Sequence, residues 1–362
     1  MAGNEFFKYF ILAGTVSAWQ AMGMLLTEVT EHYPKYYFVS WSAHSWYILA
    51  IPVWLFLNHR YRGKSLSDSF TEINRYDIQL YAAIASIISL LAAVLWYYSL
   101  PLTILSANNA VYQSSPFFVF ILSVTFLGES VKVKKIIGLC FCFAGVLMIS
   151  LYTKDQTKSD GTTQKSTVRG YLLTLMSALF AGVFEVFNEW ISHKKKPHHG
   201  LISPEEAFRY EGGHERPASS EESNATKVIE SIRFLGLIGF YNCFLLWPGI
   251  FIVTATGVEG EFNLPAHSVL VKLLIASSIE ACYVALLISG IAISSSTFMA
   301  VGQMLIIPMG YMVEIFFEGE HLSDHAWQNY LGAMLIITGF LTMQESTNQT
   351  RYENVSQQEN GP

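Results

Sequence analysis

Charge is what this 362-residue chain has least of: Asp, Glu, Lys and Arg together make up 14% of it, against roughly 25% in an average soluble domain. So few charges cannot cover the surface of a soluble protein of this length. The mean hydropathy of +0.35 points the same way. The net charge of −6 is scattered along the chain, so there is no basic footprint and no nucleic-acid partner is expected. Cysteine is nearly absent. Cys140, Cys142, Cys243 and Cys282 all lie inside apolar runs, where a thiol packs as a small hydrophobe. The C-x-C at 140–142 is not the C-x-x-C of a redox pair. A secreted disulfide scaffold is therefore excluded. No G-x-x-x-x-G-K-[ST] phosphate loop occurs, which argues against a nucleotide-driven pump. His193, His198, His199 and His214 have no acidic or Cys partner at ligand spacing, so they read as a solvated linker; no metal or cofactor is expected. The ten His lie mostly in loops and form no set with Asp or Ser that a membrane enzyme would need.

What the chain has instead is hydrophobic length. Apolar runs cover 6–26, 37–57, 78–100, 102–127, 134–152, 170–191, 232–253, 270–291, 293–317 and 327–344, each near the ~20 residues that cross a bilayer as a helix. They are solid runs, not the ~10-residue alternating segments of a barrel. The expected fold is an all-α integral membrane protein of ten transmembrane helices. Lys35, Lys154, Lys158, Lys165, Arg169 and Lys272 fall on one side, and all the other Lys and Arg of the 22 fall on the side of the termini. Positive residues concentrate in the cytoplasm, so both termini are placed there. The linker 192–231 turns from basic to acidic and Ser/Gly-rich and reads as flexible. The polar tail 345–362 reads as disordered. The sequons at Asn224, Asn348 and Asn354 are then cytosolic and unglycosylated. Spans of roughly 20 to 25 residues suit thin and thick bilayers alike, so no particular membrane is assigned.

The chain repeats itself. The end of segment 3 through segment 5 reads SLPLTILSANNAVYQSSPFFVFILSVTFLGESVKVKKIIGLCFCFAGVLMIS. The end of segment 8 through segment 10 has the same order of features: Gln113 and Gln303, then Pro116 and Pro308, then Gly128-Glu129 and Gly319-Glu320. Two glycines seven apart follow, Gly138 and Gly145 in one copy and Gly332 and Gly339 in the other. The chain divides into five-helix halves, 1–152 and 170–344, joined by a non-cytoplasmic loop at 153–169. Five is odd, so the second half enters the membrane inverted, an arrangement typical of secondary transporters.

These stretches resemble the EamA-type repeat of the drug/metabolite transporter superfamily, and within it the F-subgroup solute carriers related to nucleotide-sugar transporters. The resemblance covers nearly the whole membrane part and is strongest over 90–152. It implies a ten-helix fold with a central cavity, helices 5 and 10 at the periphery, and solute movement by alternating access. It does not carry over a substrate.

Polar groups within the spans locate the chemistry. Asn109, Tyr112, Gln113 and Pro116 stand at i, i+3, i+4 and i+7, one face of a helix. That face must meet a cavity or a neighbouring helix. Gln303 holds the matching place in segment 9. Glu280 lies mid-span in segment 8 and Glu185 in segment 6, with no Lys or Arg deep in any segment to pair with them. Trp19, Gln20, Tyr97, Tyr98 and Tyr283 add an aromatic, amphipathic lining suited to a flat or cationic ring. The substrate-binding set expected is Gln20, Tyr98, Asn109, Tyr112, Gln113, Glu185, Glu280, Tyr283 and Gln303, at a midplane site between segments 1, 3, 4, 6, 8 and 9. Glu280 is read as a proton-coupling or cation site; the alternative is a neutral acid hydrogen-bonded to a helix. Glu189 is read as solvated. The Gly-Glu pairs are read as helix terminators. The glycine faces of segments 5 and 10 serve internal packing, or alternatively a homodimer contact. The expected function is transport of a small polar or cationic organic solute, with the lipid bilayer as the other partner. The alternatives are a nucleotide-sugar or other metabolite exchanger of the same fold, or a non-transporting membrane sensor or scaffold.

Overall fold

Backbone N–H and C=O groups in hydrocarbon find no water, so apolar runs of this length must bond internally as helices. The structure, a computed structural model, describes residues 2–103, 105–152, 167–194, 224–309 and 327–359, and contains no strand among them. Helix α1 spans Ala2–His32. The second apolar run is not one helix: α2 (Tyr36–Ser45), a 3-10 turn (Trp46–Leu49) and α3 (Ala50–Arg62) follow one another. A short helix α4 (Leu66–Ile73), closed by a Ser65–Asp68 capping box, leads to α5 (Tyr76–Ser99). Next come α6 (Leu105–Tyr112) and α7 (Ser115–Leu122). Pro116 sits in the first turn of α7, where its missing N–H costs nothing. The fourth apolar run is thus broken across Gln113 and Ser114. A π-turn at Ser123–Leu127 ends at Gly128, whose φ is 68°; this left-handed residue closes the helix. The first half finishes with α8 (Val133–Tyr152).

The remaining helices are α9 (Val168–Lys194), α10 (Asn224–Leu245), α11 (Gly249–Ala255), α12 (His267–Ile293), α13 (Ser296–Gln303) and α14 (Trp327–Glu359). The run expected at 232–253 starts earlier, at Asn224, and breaks before Pro248, whose ring cannot continue the helix. α14 carries on through the polar residues after 344, where an irregular tail was expected; Gln and Glu there are good helix formers. Most of the loop at 153–169 and of the linker at 192–231 lies outside the described residues, as do Gly319-Glu320, His198, His199 and His214.

Six described helices are long and apolar enough to cross a membrane: Phe6–His32, Tyr76–Leu102, Ala110–Leu127, Val168–His193, Asn224–Leu245 and His267–Ile293. Ser296–Met309 and Tyr330–Gln344 are apolar but shorter. Large apolar side chains, among them Phe56, Ile87, Ile121, Phe126 and Met334, stand exposed on the outside, a surface that lipid covers and water does not. These features make the chain an integral, multi-pass membrane protein.

The closest helix pairings join distant parts of the chain. α1 runs along α12, α5 along α9, α8 along α14, and α3 against α10. In the α8–α14 pair the two backbones nearly touch: a Cβ added to Gly145 would lie 2.4 Å from the Gly332 carbonyl oxygen, and one added to Gly339 would lie 2.4 Å from that of Gly138. The glycines therefore serve backbone-to-backbone packing within one chain. The obstacle at these positions is a backbone atom, so no side-chain rotation relieves it. Gly339→Val is expected to lower the thermal midpoint of the detergent-purified protein by several degrees. Gly23→Ala, at a position with no atom within 4 Å of the new Cβ, is expected to leave it unchanged or raise it. Equal midpoints for the two variants would contradict this packing.

Candidate functional site

A cavity of about 100 Å³ lies in the middle of the bundle, between α1, α2, α5, α6, α9 and α12. At roughly 10–15 Å³ per water, this holds several water molecules or a small solute. Its walls are aromatic. Trp19 stacks on Tyr112 with ring centres 5.6 Å apart and planes 16° apart, and leans on Tyr283 at 5.1 Å and Trp96 at 6.2 Å. Two acids complete the lining, Glu185 and Glu280, 4% and 6% exposed. At this burial a carboxylate needs partners or a proton.

Each acid keeps different company. Tyr47 donates its hydroxyl to Glu280 Oε1 at 2.8 Å, and His44 Nδ1 lies 3.3 Å from the same oxygen. His44 Nδ1 also lies 3.0 Å from the Ser40 carbonyl oxygen. Glu185 Oε1 instead accepts from Gln303 Nε2 at 3.1 Å, and Gln303 Oε1 accepts from the Tyr283 hydroxyl at 2.7 Å. The second oxygen of each acid has no hydrogen-bond partner among the described residues. A smaller cavity beside the first is lined by Trp19, Tyr112, Gln113, Glu185 and Gln303, among others.

The structure thus brings together Tyr112, Gln113, Glu185, Glu280, Tyr283 and Gln303 of the expected set. Gln20 is half-buried on α1 and borders neither cavity. Tyr98 lies at the end of the bundle, donating to Glu259 Oε1 at 2.6 Å. The side chain of Asn109 falls outside the described residues. Its neighbour Asn108 is buried glue, with Nδ2 reaching the hydroxyls of Ser99, Thr103 and Thr174 at 2.7, 2.8 and 2.9 Å. The residues that sequence reasoning missed are His44 and Tyr47. The cavity has a wall from segment 2, which the expected set of segments omits. The signal was present: a His inside an apolar run, three residues before a Tyr, is an intramembrane titratable group in its own right.

Polar contacts also hold both ends of the bundle. At the end near Tyr9, Glu189 is 7% exposed and not solvated as expected. Its Oε2 accepts from the Ser296 N–H at 2.6 Å and the Ser296 hydroxyl at 2.5 Å, capping the start of α13. The Ser296 hydroxyl lies 3.1 Å from that of Ser123. Glu129, expected only to follow a helix end, accepts from Lys135 Nζ at 2.7 Å and from the Thr297 hydroxyl at 2.5 Å. At the opposite end, Glu259 Oε1 accepts from the Tyr37 N–H at 2.8 Å as well as from Tyr98. Tyr33 donates to the Asn263 carbonyl oxygen at 2.5 Å; burial and the nearby Glu259 push its phenol up to about 12. The buried cations Lys135 and Arg233 are paired with Glu129 and with Glu230 and Glu72, away from the two central acids.

An all-helical, multi-pass membrane protein with polar side chains gathered at its centre is the class that fold and cavity define. Within that class, residues 6–151 match the EamA-like transporter family. The chain is 23% identical over 246 residues to an uncharacterized transporter of Schizosaccharomyces pombe, covering 68% of this chain and 62% of that protein. It is 23% identical to solute carrier family 35 member F5 of Mus musculus, covering 64% of this chain and 37% of that protein. It therefore spans less than two thirds of the length of these relatives. A solved crystal structure superposes with a TM-score of 0.58 at 11% identity, over 95% of this chain and 98% of the other, a likeness of fold alone. The first part of the chain is thus similar to the EamA-like transporter family. The matched family and these relatives carry the names of transporters and carriers, not of enzymes.

Removing the Glu189 carboxylate leaves the first N–H of α13 and the Ser296 hydroxyl without their acceptor. Glu189→Ala is expected to destabilise the protein by roughly 1–3 kcal/mol. His193 stands 3.9 Å from Glu189 on an exposed face, so His193→Ala should change stability by less than about 0.5 kcal/mol. Thermal unfolding of the two variants side by side checks the ranking.

Proposed function

We propose that the chain is a secondary transporter that moves a small polar or cationic organic solute across a membrane by alternating access of two inverted five-helix halves. In this reading the chain makes ten passes, with both termini cytoplasmic, and the halves are 1–152 and 170–344. One observation carries it: the central cavity lies on the seam between the halves, with acids of one half facing aromatic rings and His44 of the other.

The helix pairings support the inversion. If helix n of one half corresponds to helix n+5 of the other, the α1–α12 and α5–α9 pairings exchange, and the α8–α14 pair maps onto itself. The glycine contacts follow this rule. Gly138 meets Gly339 while Gly145 meets Gly332, as a self-complementary two-fold contact requires. The EamA-like match at 6–151 covers one such half. Alternating access then has a simple cause: exchanging the conformations of two similar halves converts one open state into the other at similar energy.

The lining supports the solute class. A ring or an ammonium group is held by aromatic faces, and two buried acids favour a positive charge over a negative one. A nucleotide sugar carries phosphate negative charge, which this lining disfavours. A membrane sensor needs no such cavity between halves.

Proteoliposome uptake across a panel of organic cations, zwitterions and anions, with and without a pH gradient, is the direct test. Cations are expected to accumulate. Accumulation of the anions alone would overturn the solute class. Glu280→Gln is expected to abolish pH-dependent uptake while leaving membrane insertion intact. A ligand that binds the folded state also raises its apparent stability, by about 2.7 kcal/mol at a hundredfold excess over Kd, so thermal shifts screen candidates cheaply.

A further inference from the structure

The two central acids differ in one respect that bears on coupling: where their partners come from. Glu280, on α12, is held by His44 and Tyr47, on α2 and the turn after it, so its hydrogen bonds cross from the second part of the chain to the first. Glu185, on α9, is held by Gln303 on α13, which is held by Tyr283 on α12, so its whole chain of bonds stays within the second part. A rocking of the halves against each other breaks the first set of contacts and carries the second along as a unit.

We propose that the two carboxylates divide the work, Glu280 with His44 and Tyr47 forming the proton site and Glu185 forming the fixed anchor for the positive charge of the solute. The division rests on the two-half transport reading given above. While the halves meet at Glu280, Tyr47 donates a hydrogen bond to its carboxylate, and His44 lies beside it. When they separate, the carboxylate loses both neighbours, and the oxygen that Tyr47 had occupied becomes available to a proton. It then takes up a proton from the side to which the cavity opens, forming an O–H bond, and releases that proton when the halves close on the other side. Nothing else is oxidised, reduced or transferred. Glu185 keeps Gln303 in either arrangement, so its affinity for a cation survives the movement. Its unpartnered oxygen, buried in the cavity wall beside Trp19 and Tyr112, is the free acceptor for that charge.

The titratable groups that share the cavity with Glu280 are His44 from α2, Tyr47 from the turn, Tyr97 from α5, Tyr112 from α6, Glu185 from α9 and Tyr283 from α12 itself. α1 offers Trp19 and Met22, neither of which titrates. His44 and Tyr47 are positioning residues: they act through Glu280.

Two measurements on the reconstituted full chain separate the roles. The first is infrared difference spectroscopy across a pH titration, reading the C=O stretch of protonated carboxylic acid. A band is expected to titrate in the wild type, to vanish in Glu280→Gln, to persist in Glu185→Gln, and to shift its midpoint in Tyr47→Phe and His44→Gln. The second is quenching of tryptophan fluorescence by ethidium, a planar aromatic cation. Glu185→Gln is expected to weaken ethidium binding tenfold or more at every pH, and Glu280→Gln to remove the pH dependence of that binding. Equal losses of ethidium binding in both variants, or loss of the titrating band in Glu185→Gln, would overturn the division of roles. Absence of ethidium binding by the wild type would overturn the cationic-solute reading itself, and the infrared arm would still decide whether Glu280 is the proton site. All four substitutions keep side-chain size, and a Glu185→Gln, Glu280→Gln double variant that still shows a titrating band would also overturn the proposal.

Discussion

A polar group inside a bilayer has no water to turn to, and the placement of every buried side chain in this protein follows from that constraint. Asn108 answers it with three hydroxyls from neighbouring helices. Glu189 answers it with the open N-terminus of α13, where orphan N–H groups and the helix dipole both favour a carboxylate. Lys135 and Arg233 answer it with acids of their own. At the centre, one oxygen on Glu185 and one on Glu280 have no hydrogen-bond partner among the described residues. Both acids line the central cavity; other buried polar atoms without a partner among the described residues, such as Asn188 Oδ1 and Asn242 Oδ1, lie elsewhere in the bundle.

Much of the architecture was legible from spacing alone, because bilayer thickness and helix rise leave few choices. The glycines at 138, 145, 332 and 339 were legible as contact points since small residues at intervals permit close approach, and they meet one another. The polar face of segment 4 was legible as inward-facing: Tyr112 and Gln113 both line cavities. Glu280 and Glu185 stood out because charge is so scarce. What spacing could not give was pairing across the bundle. The partners of Glu280 lie more than two hundred residues away in sequence, and a single sequence holds no trace of that distance. Glu189 was misread for the same reason: its acceptor role depends on where α13 starts, which Ser296 decides from another part of the chain.

His44 shows a different failure. Its residue type was counted with the loop histidines, although its position inside an apolar run argued otherwise. Depth, not abundance, gives an ionisable residue its meaning in a membrane. Tyr98 failed in the opposite way: an aromatic near a span end was assigned to the cavity, but it forms part of the closure around Glu259, as interfacial Tyr often does with one polar and one apolar end.

The contacts that hold the two ends of the bundle are unequal in exposure. At the end near Tyr9, Glu189 and Ser296 are buried. At the opposite end, α1 and α12 are joined by Glu28 and Lys272, whose side chains are 44% and 42% exposed. Dissolved ions screen exposed pairs and reach buried ones far less. Concentrated salt therefore weakens the exposed Glu28–Lys272 pair more than the buried Glu189–Ser296 contact.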